Sequence, residues 1–303
     1  MVYLLLAIIC SSSIAIIFKF SEANNLNRYA VTTMNYFTAF TVSLFLALIE
    51  GNIDFSLDGN FLEEFKNVII GGNTLFSPGA SFTWAIIIGI IAGVFFFLSF
   101  VFYQISVREN NVGLAGTFAK LGILVPMSFS IILWREFPSS IQWVGIILSI
   151  TSIIIVNVSF KKSQMKDLHI NLILLFIFGG LAEFSNKIFQ KYAISEYKSV
   201  FLFFVFFVAF IISLITTLKR KRKIKRVDLI TGVFVGIPNL FSSFFLIMAL
   251  NYMKTSIVFP IYSAGSIVII TLVGTLVFKE ILKRKEIVAI FMTIIALILI
   301  NIN

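Results

Sequence analysis

Ten long apolar stretches follow one another along this chain, and they restrict its fold more than any other feature. Each is close to the roughly 20 residues that an α-helix needs to cross a bilayer core. Their apolar residues run continuously instead of alternating, which favours helices over the strands of a β-barrel. The sequence therefore predicts an all-α polytopic membrane protein with ten transmembrane helices. The stretches lie near 2–18, 30–49, 82–106, 112–134, 141–158, 169–188, 198–218, 228–250, 255–278 and 286–302.

The composition agrees with an integral protein of the plasma membrane. Hydrophobic residues make up 59% of the chain and charged residues 13%, whereas a soluble domain carries about 25% charged residues. The first stretch, "MVYLLLAIICSSSIAIIF", lacks the basic n-region and small-residue cleavage site of a signal peptide. We expect it to be the first span, with Cys10 as a packing residue inside it.

Lysine and arginine residues lie mostly in alternate connections between the predicted spans. The odd-numbered connections hold 17 of the 24 basic residues, including the run "KRKRKIKR" at 219–226, and the even-numbered ones hold six. Because cytoplasmic loops are enriched in Lys and Arg, the odd connections are predicted to be cytoplasmic and both termini outside. The run 219–226 is interpreted as a topology anchor that contacts anionic membrane lipid, in preference to a nucleic-acid site.

The chain is internally repeated. When the sequence is shifted onto itself by about 143 residues, the third to fifth spans overlay the last three, and a shift of 172 residues overlays the first span on the sixth. These matches predict a duplication, with a first five-helix repeat at 1–160 and a second at 161–303. The matched pairs include Gly89 with Gly232, Gly93 with Gly236, Ser99 with Ser242, Phe102 with Phe245, Gly122 with Gly265 and Ser13 with Ser185.

An odd number of helices in each repeat has a topological consequence. The second copy enters the membrane upside down relative to the first, so the two repeats are predicted to be inverted. Inverted repeats are a construction of secondary transporters, in which the substrate site lies between the copies and access alternates between the two sides. The repeat thus predicts a transporter.

Lys120 lies within the fourth predicted span, in "AGTFAKLGILVP" at 115–126. It is about 12 Å from the start of its span at 1.5 Å per residue, and ionisable residues at such depth are candidates for function. One interpretation is that Lys120 binds an acidic group of the substrate or a coupling carboxylate. The alternative is that it donates hydrogen bonds to carbonyl groups freed near Pro126, or fixes helix packing.

Glu183 is the acidic residue placed well inside a predicted span. It shares a polar stripe of the sixth span with Lys187. A desolvated glutamate is suited to proton exchange, so protons are the candidate coupling ion. Glu183 and Lys187 are four residues apart and can also pair on their own helix, and Lys120 is an alternative cationic partner.

Prolines and further polar residues within the spans complete the candidate site. A proline removes a helical hydrogen bond and frees a carbonyl group, so these positions are candidate hinges and cavity walls, although prolines in membrane helices also occur without a binding role. The prolines are Pro126, Pro238 and Pro260, and the further lining candidates are Asn35, Tyr36, Gln104, Asn239, Tyr262 and Ser263.

Two turns between the fourth and fifth spans of each copy carry a glutamate. They read "LWREFPSSIQWVGIILSI" around Glu136 and "VFKEILKRKEIVAIFMTII" around Glu280, and the second span contains "MNYFTAFTVSLFLAL". With the two five-helix repeats, these motifs resemble the drug/metabolite transporter superfamily, in particular its ten-helix EamA-like branch. The resemblance implies a metabolite carrier, often an exporter of amino acids or related small molecules. It also implies cytoplasmic termini, against the charge count, which we retain.

Enzymatic activity is not expected. The chain has a single histidine, His169, and lacks the spacing of a metal site or a nucleophile motif, so neither a metal nor a cofactor is predicted. We expect an alternating-access carrier, secondary-active or facilitative, of a small polar metabolite. The alternatives are a flippase for a lipid-linked head group and a membrane scaffold without transport activity.

Overall fold

A computed structural model describes residues 1–51, 60–70, 75–109, 118–157, 170–220, 223–277 and 284–301. Within these ranges every regular element is helical, which confirms the all-α prediction. The helices are α1 (Val2–Ala23), α2 (Arg28–Ile49), α3 (Phe61–Phe65), α4 (Pro78–Glu109), α5 (Leu124–Trp134), α6 (Ser140–Asn157), α7 (Ile170–Tyr192), α8 (Lys198–Lys219), α9 (Arg226–Leu250), α10 (Thr255–Leu276) and α11 (Arg284–Asn301).

Seven helices of the described ranges are long and apolar enough to cross a membrane. They coincide with the first, second, third, sixth, seventh, eighth and ninth predicted spans. The three other predicted spans coincide with shorter apolar helices, Phe118–Trp134, Ser140–Ser152 and Ile290–Ile300. The chain is therefore an integral multi-pass membrane protein, and the count of ten spans stays a prediction.

The chain divides into two compact units. Unit 1 comprises Met1–Phe97 and Ser185–Asn251, and unit 2 comprises Leu98–Phe184 and Tyr252–Asn303. Both units take helices from both predicted repeats, and the long helices α4 and α7 each contribute residues to both units. This division follows packing and does not test the predicted boundary between the two repeats near residue 160, which stays a prediction.

In unit 1, α9 packs closely on α2 through two glycines. A Cβ atom placed on Gly232 would lie 2.5 Å from Met34 Cβ and 2.7 Å from the carbonyl oxygen of Val31. A Cβ atom on Gly236, one turn later, would lie 2.6 Å from the carbonyl oxygen of Asn35. Small residues that let two backbones approach are the usual means of association between membrane helices. These glycines therefore fix the distance between α2 and α9.

The same arrangement joins α4 to α8 in unit 1. A Cβ atom on Gly89 would lie 2.7 Å from Phe204 Cβ and 2.9 Å from the carbonyl oxygen of Phe201, and one on Gly93 would lie 2.6 Å from the carbonyl oxygen of Val205. Gly89 and Gly93 are the repeat partners of the two glycines in α9. The three contacted residues of α8 repeat the spacing of the three contacted residues of α2. Equivalent atoms of the two predicted repeats thus make equivalent contacts.

Aromatic rings join α2 to α8 reciprocally. The ring centroids of Phe37 and Phe210 are 5.6 Å apart, and those of Phe40 and Phe207 are also 5.6 Å apart. When α2 is aligned with α8 so that Asn35 falls on Val205, Phe37 falls on Phe207 and Phe40 falls on Phe210. The alignment therefore turns the contact of Phe37 with Phe210 into the contact of Phe207 with Phe40. Such an exchange of partners is typical of a two-fold interface.

Local sequence explains the helix ends of unit 1. The Asn27 side chain accepts from the backbone N–H of Ala30 at the start of α2, as N-cap residues do. Asp228, in the first turn of α9, accepts from the backbone N–H groups of Lys225 at 2.7 Å and Asn27 at 3.0 Å. Gly51, just after α2, has a positive φ of 69°, which glycine adopts readily.

The apolar face of the short helix α3, which carries Phe61 and Phe65, packs within unit 1. Phe61 and Phe65 of α3 lie 5.8 Å from Phe76 and 5.9 Å from Trp84, respectively, between ring centroids. This face therefore packs on the protein's own core. The following π-helix, Lys66–Ile70, continues the segment.

In unit 2, α10 packs on α5, α6 and α11, and α6 packs on α11. A Cβ atom on Gly145 of α6 would lie 2.9 Å from the carbonyl oxygen of Ala296. The Glu136 carboxylate accepts from the backbone N–H of Thr255 at 2.8 Å, at the first residue of α10. Glu136 thus satisfies one of the N–H groups left open at a helix start. Its predicted counterpart, Glu280, lies outside the described residues.

Candidate functional site

The structure distributes the predicted site residues between the two units. Lys120, Glu183, Tyr262 and Ser263 belong to unit 2 with Pro126 and Pro260, whereas Asn35, Tyr36, Lys187 and Asn239 belong to unit 1 with Pro238. Gln104 lies in α4, and its side chain is outside the described part of the structure.

The structure brings Lys120 and Glu183 together. Lys120 lies in helical residues 118–121, the first described residues after 109, and Glu183 lies in the C-terminal half of α7. The two side chains interact electrostatically, and both are partly buried. The sequence offers both Lys120 and Lys187 as cationic partners for Glu183 and leaves the choice open. Lys120 and Glu183 both belong to unit 2, whereas Lys187 belongs to unit 1.

The helix that carries Lys120 is interrupted two residues later. Gly122 and Ile123 form a turn between segment 118–121 and α5. Within the turn the Gly122 N–H donates to the Phe118 carbonyl at 3.1 Å, and the Val125 N–H donates to the Gly122 carbonyl at 3.0 Å. Discontinuous membrane helices commonly form binding sites for substrates and ions.

Pro126 lies in the first turn of α5, where a missing N–H removes no helical hydrogen bond. In a continuous helix its N–H would have bonded the Gly122 carbonyl, which instead accepts from Val125. The carbonyl group that Pro126 frees therefore already has a donor. This weakens the alternative in which Lys120 is present to satisfy that carbonyl.

Phe184, the residue after Glu183, anchors α7 to α5. Its ring is stacked on Phe129 with centroids 4.7 Å apart, and it lies 5.9 Å from the ring of Trp134. Stacked aromatic pairs stabilise a contact by about 0.5–1.5 kcal/mol beyond the area that they bury. The segment of α7 that carries Glu183 is thus held firmly within unit 2.

Tyr262 and Ser263 are both buried in α10, with Pro260 in the same helix. The helix is continuous from Thr255 to Leu276, and the Ser266 hydroxyl donates to the Tyr262 carbonyl at 2.7 Å. Ser263 is the counterpart of Lys120 in the repeat alignment. The equivalent region of the second repeat therefore has a serine and an unbroken helix where the first has a lysine and a turn.

In unit 1 the polar candidates join α2 to α9. The Asn239 amide donates to the Asn35 side-chain oxygen at 3.0 Å, about one turn beyond the contact of Gly236. Next to it, the Tyr36 hydroxyl donates to the Phe96 carbonyl at 3.4 Å. Pro238 immediately precedes Asn239 in α9. Asn35 and Tyr36 are both buried, so this cluster is an interhelical hydrogen-bond network.

Lys187 is 3% exposed and donates to the Gln190 side-chain oxygen at 3.1 Å, about one turn further along α7. A buried ammonium needs such partners because its desolvation is costly. Asn186, beside it, is fully buried. The polar stripe predicted on the sixth span is therefore buried at these positions.

Sequence reasoning missed two features of the site, the turn at Gly122 and the role of Glu136 at the start of α10. The sequence marks the glycine only as a repeat match, and the "GILVP" pattern of a glycine four residues before a proline is its one local signal. The second feature joins residues far apart along the chain, for which no local signal exists. Groups of three or more His, Cys, Asp or Glu residues that could hold a metal do not occur in the described residues, and His169 lies outside them.

The apolar helices and the repeated glycine contacts are those of a multi-pass membrane protein. The family model described as "EamA-like transporter family" matches residues 1–158 and again residues 170–302. The chain belongs to the EamA-like transporter family, as the sequence motifs predicted. It is therefore a membrane transporter, in agreement with the expectation that it is not an enzyme.

Similar proteins of known structure support the fold. One is a crystal structure described as "Crystal structure of protein", with 14% sequence identity and a TM-score of 0.70. The alignment covers 99% of this chain and 95% of that chain, and at this identity it shows the fold alone. Curated protein sequences give no match to the chain.

Proposed function

We propose that this transporter is an alternating-access carrier of a small polar metabolite, such as an amino acid or a related compound. In this proposal Lys120 and Glu183 form its substrate-binding or proton-coupling pair. The observation that carries it is the close contact of Gly122 with Gly180 beside an interrupted helix. Lys120 and Glu183 both lie within about one helical turn of that contact. Ionisable residues are costly within a membrane and are typical of substrate pathways and proton relays.

The lack of repetition of this pair also supports a role in binding. Contacts needed to hold helices together occur in both predicted repeats, as the glycine contacts of α2 with α9 and α4 with α8 do. A carrier with one substrate site needs its charged groups only once. In the repeat alignment the counterpart of Lys120 is Ser263, and that of Glu183 is Ser11.

Alternating access is supported by the same reciprocal contacts. If the two repeats are inverted, equivalent helices can exchange conformations and so open the protein to either side in turn. The two ring contacts between α2 and α8 are exchanged when each phenylalanine is replaced by its counterpart in the other helix. An arrangement around a pseudo-two-fold axis requires this exchange.

The test is transport by the purified protein in proteoliposomes across a panel of amino acids and related metabolites, with and without a pH gradient. Lys120→Ala and Glu183→Gln are expected to lose transport of the substrate found. Matched controls are Lys198→Gln and Glu50→Gln, which break the ion pair of 3.3 Å between α8 and the end of α2. Unchanged transport in the Lys120 and Glu183 variants would contradict the proposed site and favour a scaffold.

The pH gradient distinguishes the two forms of the carrier. If Glu183 exchanges protons, the gradient stimulates the wild type and has no effect on any residual transport by Glu183→Gln. If transport is facilitative, the wild type shows no response to the gradient. Transport of a lipid-linked head group in place of a soluble metabolite would identify a flippase.

The orientation in the plasma membrane is a second part of the proposal. We infer from the basic connections that both termini are outside and that residues 219–226 contact anionic lipid on the cytoplasmic side. Within this run the Arg220 guanidinium lies 4.3 Å from the ring centroid of Tyr29. Reporter tags fused to each terminus test the orientation, and cytoplasmic termini would contradict it.

A further inference from the structure

The turn after Lys120 is pressed against the helix that carries Glu183. A Cβ atom placed on Gly180 of α7 would lie 2.5 Å from Val125 Cβ and 2.6 Å from the carbonyl oxygen of Gly122. A Cβ atom on Gly122 would lie 3.1 Å from the Gly180 nitrogen and 3.2 Å from the carbonyl oxygen of Phe176. Most of these atoms belong to the backbone, which cannot turn aside as a flexible side chain can. Glycine at both positions therefore allows the turn and α7 to meet.

This contact lies close to both charged side chains. Lys120 precedes Gly122 by two residues, and Glu183 follows Gly180 by three. Three residues correspond to about 4.5 Å along a helix, so both charged residues are within one helical turn of the place where the two backbones meet. A change in the spacing at Gly180 would thus change the separation of Lys120 and Glu183.

The second repeat lacks this combination. Gly265, the counterpart of Gly122, lies in the continuous helix α10, two residues after Ser263. Ile8 is the counterpart of Gly180 when the first span is aligned with the sixth. The interruption, the second glycine and the charged pair therefore all occur in one copy alone, unlike the glycine contacts of unit 1.

We propose that Gly122 and Gly180 are positioning residues, which hold Lys120 opposite Glu183 through the contact between the turn and α7. This inference rests on the proposed function for the purpose of the pair, but the positioning itself can be tested without transport. The interruption lets the chain after Lys120 change direction, and Gly180 gives the space for that turn. The helix break thereby becomes part of the transport site.

A cross-linking experiment tests the positioning directly. Cys10→Ser removes the single cysteine of the chain, and Lys120→Cys with Glu183→Cys then gives one pair for a short bifunctional thiol reagent. A protease site in the connection between the fifth and sixth spans reveals the cross-link, since linked halves stay together on a denaturing gel. We expect a cross-link in this parent protein.

Gly180→Ala is then compared with Gly232→Ala in that parent. Both alanines would meet atoms at 2.5 Å, but Gly232 lies between α2 and α9, in the other unit. We expect loss of the cross-link in Gly180→Ala and its retention in Gly232→Ala. Equal cross-linking in the two variants, or no cross-link in the parent, would overturn the inference.

Gly122→Ala keeps the test decisive if Gly180→Ala does not fold. Its Cβ contacts begin at 3.1 Å, so we expect a smaller loss of the cross-link in a folded protein. With the charged residues restored, Gly122→Ala should also reduce the response of transport to the pH gradient, and Gly232→Ala should not. If the Lys120 and Glu183 variants transport normally, the proposed function is wrong, and the cross-link still decides the positioning.

Discussion

The glycine contacts of unit 1 and the charged pair of unit 2 follow opposite rules. Gly89 and Gly232 meet equivalent residues of α8 and α2: a Cβ atom added to them would lie 2.7 Å from Phe204 Cβ and 2.5 Å from Met34 Cβ, respectively. Lys120 and Glu183, in contrast, have serines as their counterparts. The chain has thus kept the glycine contacts in both predicted copies, whereas the two charged residues occur in one copy each, with a serine in the other.

This difference separates the residues that set helix spacing, here called the frame of the molecule, from the charged residues of the proposed site. Helix spacing is needed wherever two helices cross, so a duplication preserves it in both copies. A charge within the membrane is costly, and a carrier with a single substrate needs it at one place. Charged residues that appear once within the spans of a repeated membrane protein are accordingly a better guide to its site than contacts found in both copies. Four experiments test this distinction.

The largest effect is expected for the charged pair. Lys120→Ala and Glu183→Gln should each reduce the rate of substrate transport in proteoliposomes by about a hundredfold, because truncating one partner of a desolvated charge pair costs about 2–5 kcal/mol. Lys120→Arg, which keeps the charge, should retain more transport than Lys120→Ala. Equal losses in these two Lys120 variants would show that the charge is not what matters.

A smaller, paired effect is expected for the repeated glycines. Gly89→Ala and Gly232→Ala should destabilise the protein by a similar amount, about 1–3 kcal/mol each, because overpacking forces the backbones apart. Thermal unfolding in detergent measures the effect. Gly179→Ala is the matched control, since its Cβ would meet only the Ser99 hydroxyl, at 3.3 Å. Clearly unequal losses at Gly89 and Gly232 would argue that the two interfaces are not equivalent.

The amide pair between α2 and α9 should contribute less. At the equivalent positions of α8 and α4 the chain has Val205 and Phe96, so that interface holds without an amide pair. A double-mutant cycle with Asn35→Val and Asn239→Val should give a coupling of about 0.6 kcal/mol, the average for hydrogen bonds between membrane helices. A much larger loss of transport than of stability in the single variants would assign the pair to the substrate site.

The smallest effect is expected for the ion pair of Lys198 with Glu50. Its counterparts, Arg28 and Arg220, have like charges, so the frame does not need an ion pair at both ends of α2 and α8. The coupling between Glu50→Gln and Lys198→Gln should be about 0.2–1 kcal/mol in low salt, as for other surface pairs. It should fall as salt is added, and a coupling that persists in high salt would indicate a buried pair.

Much of the fold could be predicted from the sequence because the bilayer imposes a simple rule. Seven spans, the helical class and the family follow from apolar length and short motifs. The glycines of α4 and α9 are visible as a repeat because the same residue type recurs at the same spacing. Their partners are not, because the alignment of α2 with α8 joins chemically different residues, such as Asn35 and Val205.

The candidate site was predictable only in part. An ionisable residue within an apolar span is conspicuous in any sequence, so Lys120 and Glu183 could be named. The contact of Gly122 with Gly180, which sets the place of Lys120 relative to α7, required the packing. The contacts of Phe61 and Phe65 of α3 with Phe76 and Trp84 in the core likewise have no local signal in the sequence.

The sequence by itself determined that this chain is a helical membrane transporter built from two related halves. Hydrophobic length, charge bias and repetition depend only on the order of residues along the chain and not on contacts between distant residues. Tertiary structure alone decided which residues meet. The turn at Gly122 lies against Gly180, because backbones approach where neither residue has a side chain. Gly122 and Gly180 lie in different predicted spans, and nothing in the sequence shows that they are in contact.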